Sequence, residues 1–254
     1  MKVKEKILIF LFLLTYILTG NSYNIIAHNN DLELNRSIQR VVLVELFVQT
    51  TCITCPHAEF CLEELSWEYG NENLILVEEH LWNDGYDTPE TNARYNWYVG
   101  EGKKGTPDLF INGLTHRIQG LACEDIDENY NYYKNLIDFE LARPSLIEIS
   151  VLKTISNSTI IIEGKIKNIS KITLENIVVC GMIYKEGEET GLYFWVKDIF
   201  PFKDIPLMLP QESFTFKFTS EPLLLQKDDK NKFHAVIFVQ DIETKEVLQA
   251  LYID

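Results

Sequence analysis

Thr51-Cys52-Ile53-Thr54-Cys55-Pro56 constrains this chain more than any other stretch. The apolar run from Val41 to Val48 leads into it, and a helical pattern from Ala58 to Trp67 leads out. Two cysteines with two residues between them therefore sit at a strand-to-helix junction. A helix N-terminus carries unpaired N–H groups and a partial positive charge, and both stabilise a thiolate. Lowering a thiol pKa in this way makes a cysteine reactive near neutral pH. Taken alone, the spacing fits a redox pair, half of a zinc site or a fixed disulfide. Zinc needs two further ligands, usually as a second close pair. Cys61, Cys123 and Cys180 are scattered singles, and His28, His57, His80, His116 and His234 show no paired ligand spacing. No metal and no cofactor is expected.

The N-terminus bears on the compartment. Lys2, Lys4 and Lys6 precede an apolar run from Ile7 to Leu18, and Thr19-Gly20-Asn21-Ser22 follows. That is the three-part layout of a secretory signal peptide, expected over residues 1–22. The run is shorter than the roughly 20 residues a membrane-spanning helix needs. Residues 23–38, rich in Asn, are expected to be a linker. Export implies an oxidising compartment, periplasmic or at the cell surface, where disulfides persist. Five cysteines there leave at least one unpaired or intermolecular. The formal net charge of −15 argues against a nucleic-acid partner, which needs basic surface.

Arg40 to Val48 predicts a strand buried on both faces. Glu45 is the anomaly within it, because a buried carboxylate is costly without a partner. Ala58, Leu62, Leu65 and Tyr69 form the apolar stripe of the next helix. Leu74 to Val77 predicts a second strand. Asp87-Thr88-Pro89-Glu90 opens a helix that runs to Val99. Thr106-Pro107 leads into the strand Asp108 to Ile111. Asn112-Gly113 is a two-residue hairpin signal, with the return strand from Leu114 to Gln119. The last helix is expected from near Cys123, with an apolar stripe of Ile126, Tyr130, Tyr133, Ile137 and Leu141, until Pro144 stops it. This order makes an α/β layer of helices over a mixed sheet. Residues 145–254 instead show seven short strand signals and no long helical period. That is the pattern of an all-β immunoglobulin-like sandwich.

The apolar strand with its inserted acid, the CxxC at the helix start, Thr106-Pro107 and Asn112-Gly113 together resemble the thioredoxin fold, over residues 39–143. In that family a cis proline packs beside the redox cysteines, and Thr106-Pro107 occupies its place. The resemblance implies that Cys52 is the attacking thiol, Cys55 the resolving thiol, and Glu45 the buried acid that assists proton transfer. Glu45 stands one residue further from the cysteines than is typical. Thr51 replaces the usual Trp before the motif, and Ile53-Thr54 offers no Pro or His between the cysteines. These departures leave the redox poise unspecified. A thioredoxin-like domain followed by an immunoglobulin-like one is similar to a group of exported or outer-membrane-associated bacterial proteins, which implies association with a membrane surface. In the second domain, residues 239–250 look like the closing hairpin of that group.

The expected function is an exported thiol–disulfide oxidoreductase acting on protein or small-molecule thiols and disulfides. Two alternatives stay open. The chain is otherwise a non-enzymatic surface or binding protein whose Cys52–Cys55 disulfide is structural, or a Cu(I) carrier using Cys52, Cys55 and His57.

Overall fold

Strand β2 (Val42–Val48) is hydrogen-bonded on both sides and buried along its whole length. It lies inside the compact unit formed by residues 35–254 of a computed structural model, in which residues 35–156, 158–187, 193–222 and 232–254 are described. The expected signal peptide and most of the expected linker lie outside the described residues.

A short strand, β1 (Asn35–Ser37), precedes β2. Then follow α1 (Cys55–Tyr69), β3 (Leu74–His80), α2 (Pro89–Val99), β4 (Asp108–Ile111), β5 (His116–Gln119) and α3 (Ile126–Leu141). The regular elements described after it are all strands: β6 (Ile147–Ser156), β7 (Thr159–Asn168), β8 (Leu174–Lys185), β9 (Trp195–Ile199), β10 (Lys203–Met208), β11 (Ser213–Thr219), β12 (Phe233–Asp241) and β13 (Val247–Ile253). The fold is thus mixed α/β, with a mixed sheet, three helices among the described residues and additional β structure.

One sheet runs through both halves of the chain in the order β13-β12-β8-β9-β3-β2-β4-β5, with β10 beside β8. The halves meet where β9 runs parallel to β3, Glu78 opposite Trp195. A second sheet, β1-β6-β7-β11, covers part of the first. Alternation explains how the layers stack. Ile177, Val179 and Ile183 of β8 face the four-stranded sheet and join a core with Ile149, Val151 and Ile162. The intervening Val178, Cys180 and Met182 turn to the other face and join the core that continues through β2 and β3. Phe238 of β12 and Ala250 of β13 do the same. Burial on both faces is why β8 and β12 read as almost unbroken apolar runs.

Several boundaries differ from the sequence reading, each for a local reason. Asn35–Ser37, within the expected linker, pairs with β6 as β1. β3 runs three residues past Val77, because Glu78, Glu79 and His80 are buried although polar. α3 begins at Ile126, where Asp125 accepts hydrogen bonds from the N–H groups of Asp127 and Glu128. β10 was not expected. Pro206 lies within it, and among the described residues β10 has a single strand neighbour, the setting in which a strand proline is tolerated. The β4–β5 loop is four residues long, since Ile111 pairs with His116. Residues 112–114 bond to the β12–β13 turn instead of closing a tight hairpin. Val247 N–H donates to the Asn112 carbonyl and Leu114 N–H to that of Lys245. Gly113 (φ +68) lies against the Lys245 carbonyl with no room for a Cβ.

Candidate functional site

α1 starts where the chain leaves β2, so the helix N-terminus and both cysteines stand at one end of the sheet. Cys52 and Cys55 are joined by a disulfide with their Cα atoms 5.5 Å apart. Cys52 is half-buried and Cys55 is buried, while Ile53 between them is 95% exposed. An incoming group therefore meets Cys52 first. The Cys55 N–H donates to Cys52 Sγ at 3.1 Å. No side chain caps this helix, and its first turn holds no acid. The Cys55 N–H and the positive end of the helix dipole are left to act on sulfur.

The cis peptide bond Thr106–Pro107 arrives at the same end. β4 is antiparallel to β2 with Asp108 opposite Phe47. Continued by one and two residues, that register sets Pro107 level with Val48 and Thr106 level with Gln49. Cys52, Cys55, Thr106 and Pro107 thus all lie at the same end of the sheet. Arg117 and Tyr95 hold the following Asp108 in place, donating to it at 2.6 Å and 2.8 Å.

Glu45 is not brought there. Val44, Leu46 and Val48 belong to the core that contains Cys55, Ala58 and Leu62 of α1. Phe47 packs with Tyr95 and Tyr98 of α2. Side chains alternate along a strand, so Glu45 shares the α2 face with Phe47. Its carboxylate receives a bidentate bond from Arg94, the second arm at 2.9 Å, and the Tyr98 hydroxyl at 2.6 Å. Gln240 of β12 donates to the same hydroxyl at 2.7 Å. Glu79 is buried beside this group, and burial with the neighbouring Glu45 charge pushes its carboxyl well above the usual range. Glu45 therefore anchors α2 and β12 on the face away from α1. The one-residue offset from the cysteines is the cause, because a shift of one residue reverses the face.

The acid on the α1 face is Glu78. It stands opposite Leu46 in the parallel β2–β3 pairing and points the same way. It is 2% exposed, and its Oε1 has no hydrogen-bond partner among the described residues. Burial, then the charges of Glu59 and Glu63, raise its carboxyl well above the usual value. Glu59 and Glu63 follow Cys55 along α1 at i+4 and i+8, one row of the helix. Burial raises Glu59, and burial together with Glu59 and Glu64 brings Glu63 to about 7. Three carboxyls raised by burial or by one another, Glu59, Glu63 and Glu78, thus stand on the α1 side of the sheet. Sequence reading missed Glu78, since three polar residues after an apolar run look like a strand end. The available signal was register: the acid that shares a face with α1 lies opposite Leu46, six residues before Cys52.

Behind the motif, His80 Nδ1 lies 2.6 Å from Asp84 Oδ2, which also accepts the Thr50 N–H at 3.1 Å. That ties the loop after β3 to the turn before Cys52. Cys61, Cys123 and Cys180 are unpaired. Burial pushes the Cys61 thiol to about 11 and the Cys180 thiol to about 12. Among the described residues, no group of three or more His, Cys, Asp or Glu is arranged to hold a metal ion, and no helix is long and apolar enough to cross a membrane.

No protein-family model matches the chain. No curated protein sequence matches it either. Solved structures do. HBP35 of Porphyromonas gingivalis overlays with a TM-score of 0.67 at 14% identity, covering 85% of this chain and 75% of that one. A protein of Agrobacterium tumefaciens overlays with a TM-score of 0.52 at 15% identity, over 85% of this chain and 95% of that one. A domain of the outer membrane lipoprotein Omp28 from Porphyromonas gingivalis matches at a TM-score of 0.31 and 16% identity, over 43% of this chain and 88% of that one, too low a score to carry an argument. At these identities the first two likenesses concern the fold alone: the chain is similar over most of its length to HBP35 and to the Agrobacterium protein.

Proposed function

We propose that this chain is an exported thiol–disulfide oxidoreductase, with a thioredoxin-like half at residues 39–143 and an immunoglobulin-like sandwich at 145–254. Its place is the periplasm or cell surface, a reading supported by the three-part N-terminal sequence. Its substrates are protein or small-molecule thiols and disulfides. The observation that carries the reading is the bond from the Cys55 N–H to Cys52 Sγ at an uncapped helix N-terminus. It stabilises negative charge on the more accessible of the two sulfurs.

In the reducing direction, the Cys52 thiolate attacks one sulfur of a substrate disulfide. A Cys52–substrate S–S bond forms, the substrate S–S bond breaks, and one substrate thiolate leaves. Cys55 loses its proton and its thiolate attacks Cys52 Sγ. The mixed disulfide breaks, the second substrate thiolate leaves, and the Cys52–Cys55 disulfide remains. The two released thiolates take up protons, so one disulfide is reduced to two thiols while the protein pair is oxidised. The oxidising direction is the reverse. The backbone beside Pro107 holds the substrate segment. The proton of Cys55 is relayed by Glu78 and Glu59 to solvent, each carboxyl giving up one proton as it takes one up, in place of the role that the family resemblance gives Glu45.

The test is disulfide exchange with oxidised glutathione by the reduced full chain. Exchange that disappears in Cys52→Ser supports the reading. No exchange by the wild-type chain, with a disulfide that resists mild reduction, leaves a structural bridge on a binding scaffold.

A further inference from the structure

On the α2 side of the sheet, remote in sequence from the cysteines, a cleft of about 640 Å³ opens between α2 and strands β8, β9, β10 and β12. Its walls are mostly apolar. Trp97 of α2 and Phe202, which precedes β10, line it and remain 36% and 58% exposed. Large apolar side chains left half in water around a concavity of this size are unusual unless something covers them. Arg94 forms part of the floor, but its charge is balanced by Glu45.

Lys245 Nζ stands 4.9 Å from the Trp97 ring at the rim, and apart from Arg94 the charged residues lining the cleft are all acidic. Glu90, Asp198, Asp204 and Glu221 contribute carboxylates from α2, β9, β10 and the end of β11. None of the four forms an ion pair among the described residues. Asp198 is pressed by burial and by the charges of Glu90 and Glu221, so its carboxyl is raised. Apolar walls beneath unbalanced carboxylates match one kind of occupant: a cation carried on an apolar body. A free carboxylate or phosphate is disfavoured there, and a neutral apolar group leaves the negative field of the cleft uncompensated. The four acids come from four separate elements, a spread that one ammonium group does not satisfy and several spaced cations do.

We propose that this cleft binds a basic polypeptide segment, its Lys or Arg side chains among these carboxylates and an adjacent apolar side chain against Trp97 and Phe202. The site stands apart from the cysteines and does not depend on their chemistry.

The test is calorimetric titration of the full chain with an acetylated, amidated Lys-Leu-Lys-Phe-Leu-Lys peptide. Two comparison probes are the same peptide with Glu in place of Lys, and spermine, which carries charge without an apolar body. Because the chain is acidic overall, Glu90→Gln with Asp198→Asn is compared with Glu101→Gln with Glu124→Gln, which removes the same charge from exposed positions elsewhere. The expected result is binding of the lysine peptide only, weakened about tenfold by the cleft variant and less than about twofold by the control. Absence of binding overturns the proposal. So does equal binding of the glutamate peptide, equal loss in both variants, or displacement by spermine at the peptide's own concentration.

Discussion

Glu78 stands opposite Leu46 across the parallel β2–β3 pairing and so points to the face of the sheet that α1 covers. Glu45, one residue earlier in β2, turns to the other face and ends on Arg94. Two buried acids on neighbouring strands therefore have different duties. One faces the cysteine helix with an oxygen that has no hydrogen-bond partner among the described residues, and the other is locked in an ion pair.

Glu78→Gln is expected to raise stability at neutral pH. Folded Glu78 keeps its proton to a higher pH than the unfolded chain, whose carboxyl has the ordinary value of 4.5. Unfolding above that pH releases the proton, so the site's contribution falls by about 1.4 kcal/mol for each pH unit of rise. Gln removes that slope. Urea denaturation should show the variant more stable than wild type at pH 7 and equal to it near pH 4. Its release of a mixed disulfide should slow on the order of 10²-fold, while alkylation of Cys52 is unchanged.

Glu45→Gln should do the opposite. Mixed-disulfide release keeps its wild-type rate, because Glu45 does not face α1. Arg94→Met leaves Glu45 and Glu79 buried without their cation and should cost about 3–5 kcal/mol by chemical denaturation. A slow release step in Glu45→Gln, with Glu78→Gln unaffected, would reverse the two assignments.

Thiol reactivity should be ordered by burial. After mild reduction at pH 7.5, iodoacetamide followed by peptide mass spectrometry is expected to mark Cys52 first. Cys61 and Cys180, with thiols at about 11 and about 12, should stay unmodified until the chain is unfolded.

Gly113→Ala should destabilise by about 2 kcal/mol or more, combining a left-handed backbone with contact against the Lys245 carbonyl. Thermal unfolding followed by circular dichroism measures it. The loop couples β4 to the β12–β13 turn, so the loss should appear as one cooperative shift of the whole transition.

These residues also mark what could be read in the chain. The strand–CxxC–helix junction, the Thr106–Pro107 approach and the helix stripe at Ala58, Leu62 and Leu65 were legible, because each is set by local periodicity and spacing. All seven strands expected after Pro144 are present within a few residues. β10 was hidden by Pro206, and the end of β3 by three polar residues whose burial depends on partners elsewhere. The face of Glu45 follows from alternation along β2, yet resemblance alone assigned it to the cysteines. Its bond to Arg94, 49 positions away, and the cover supplied by Gln240 of β12 are long-range facts that no local pattern carries.

The most direct measurement of the cysteine chemistry uses reduced Cys55→Ser, mixed with bis(2-hydroxyethyl) disulfide and followed by intact mass. If Cys52 is the attacking thiol of an exchange centre, one mercaptoethanol adduct accumulates on Cys52 alone and persists, because the resolving sulfur is gone. An adduct that forms no faster on Cys52 than on half-buried Cys123 would contradict that role and leave the pair as a structural bridge.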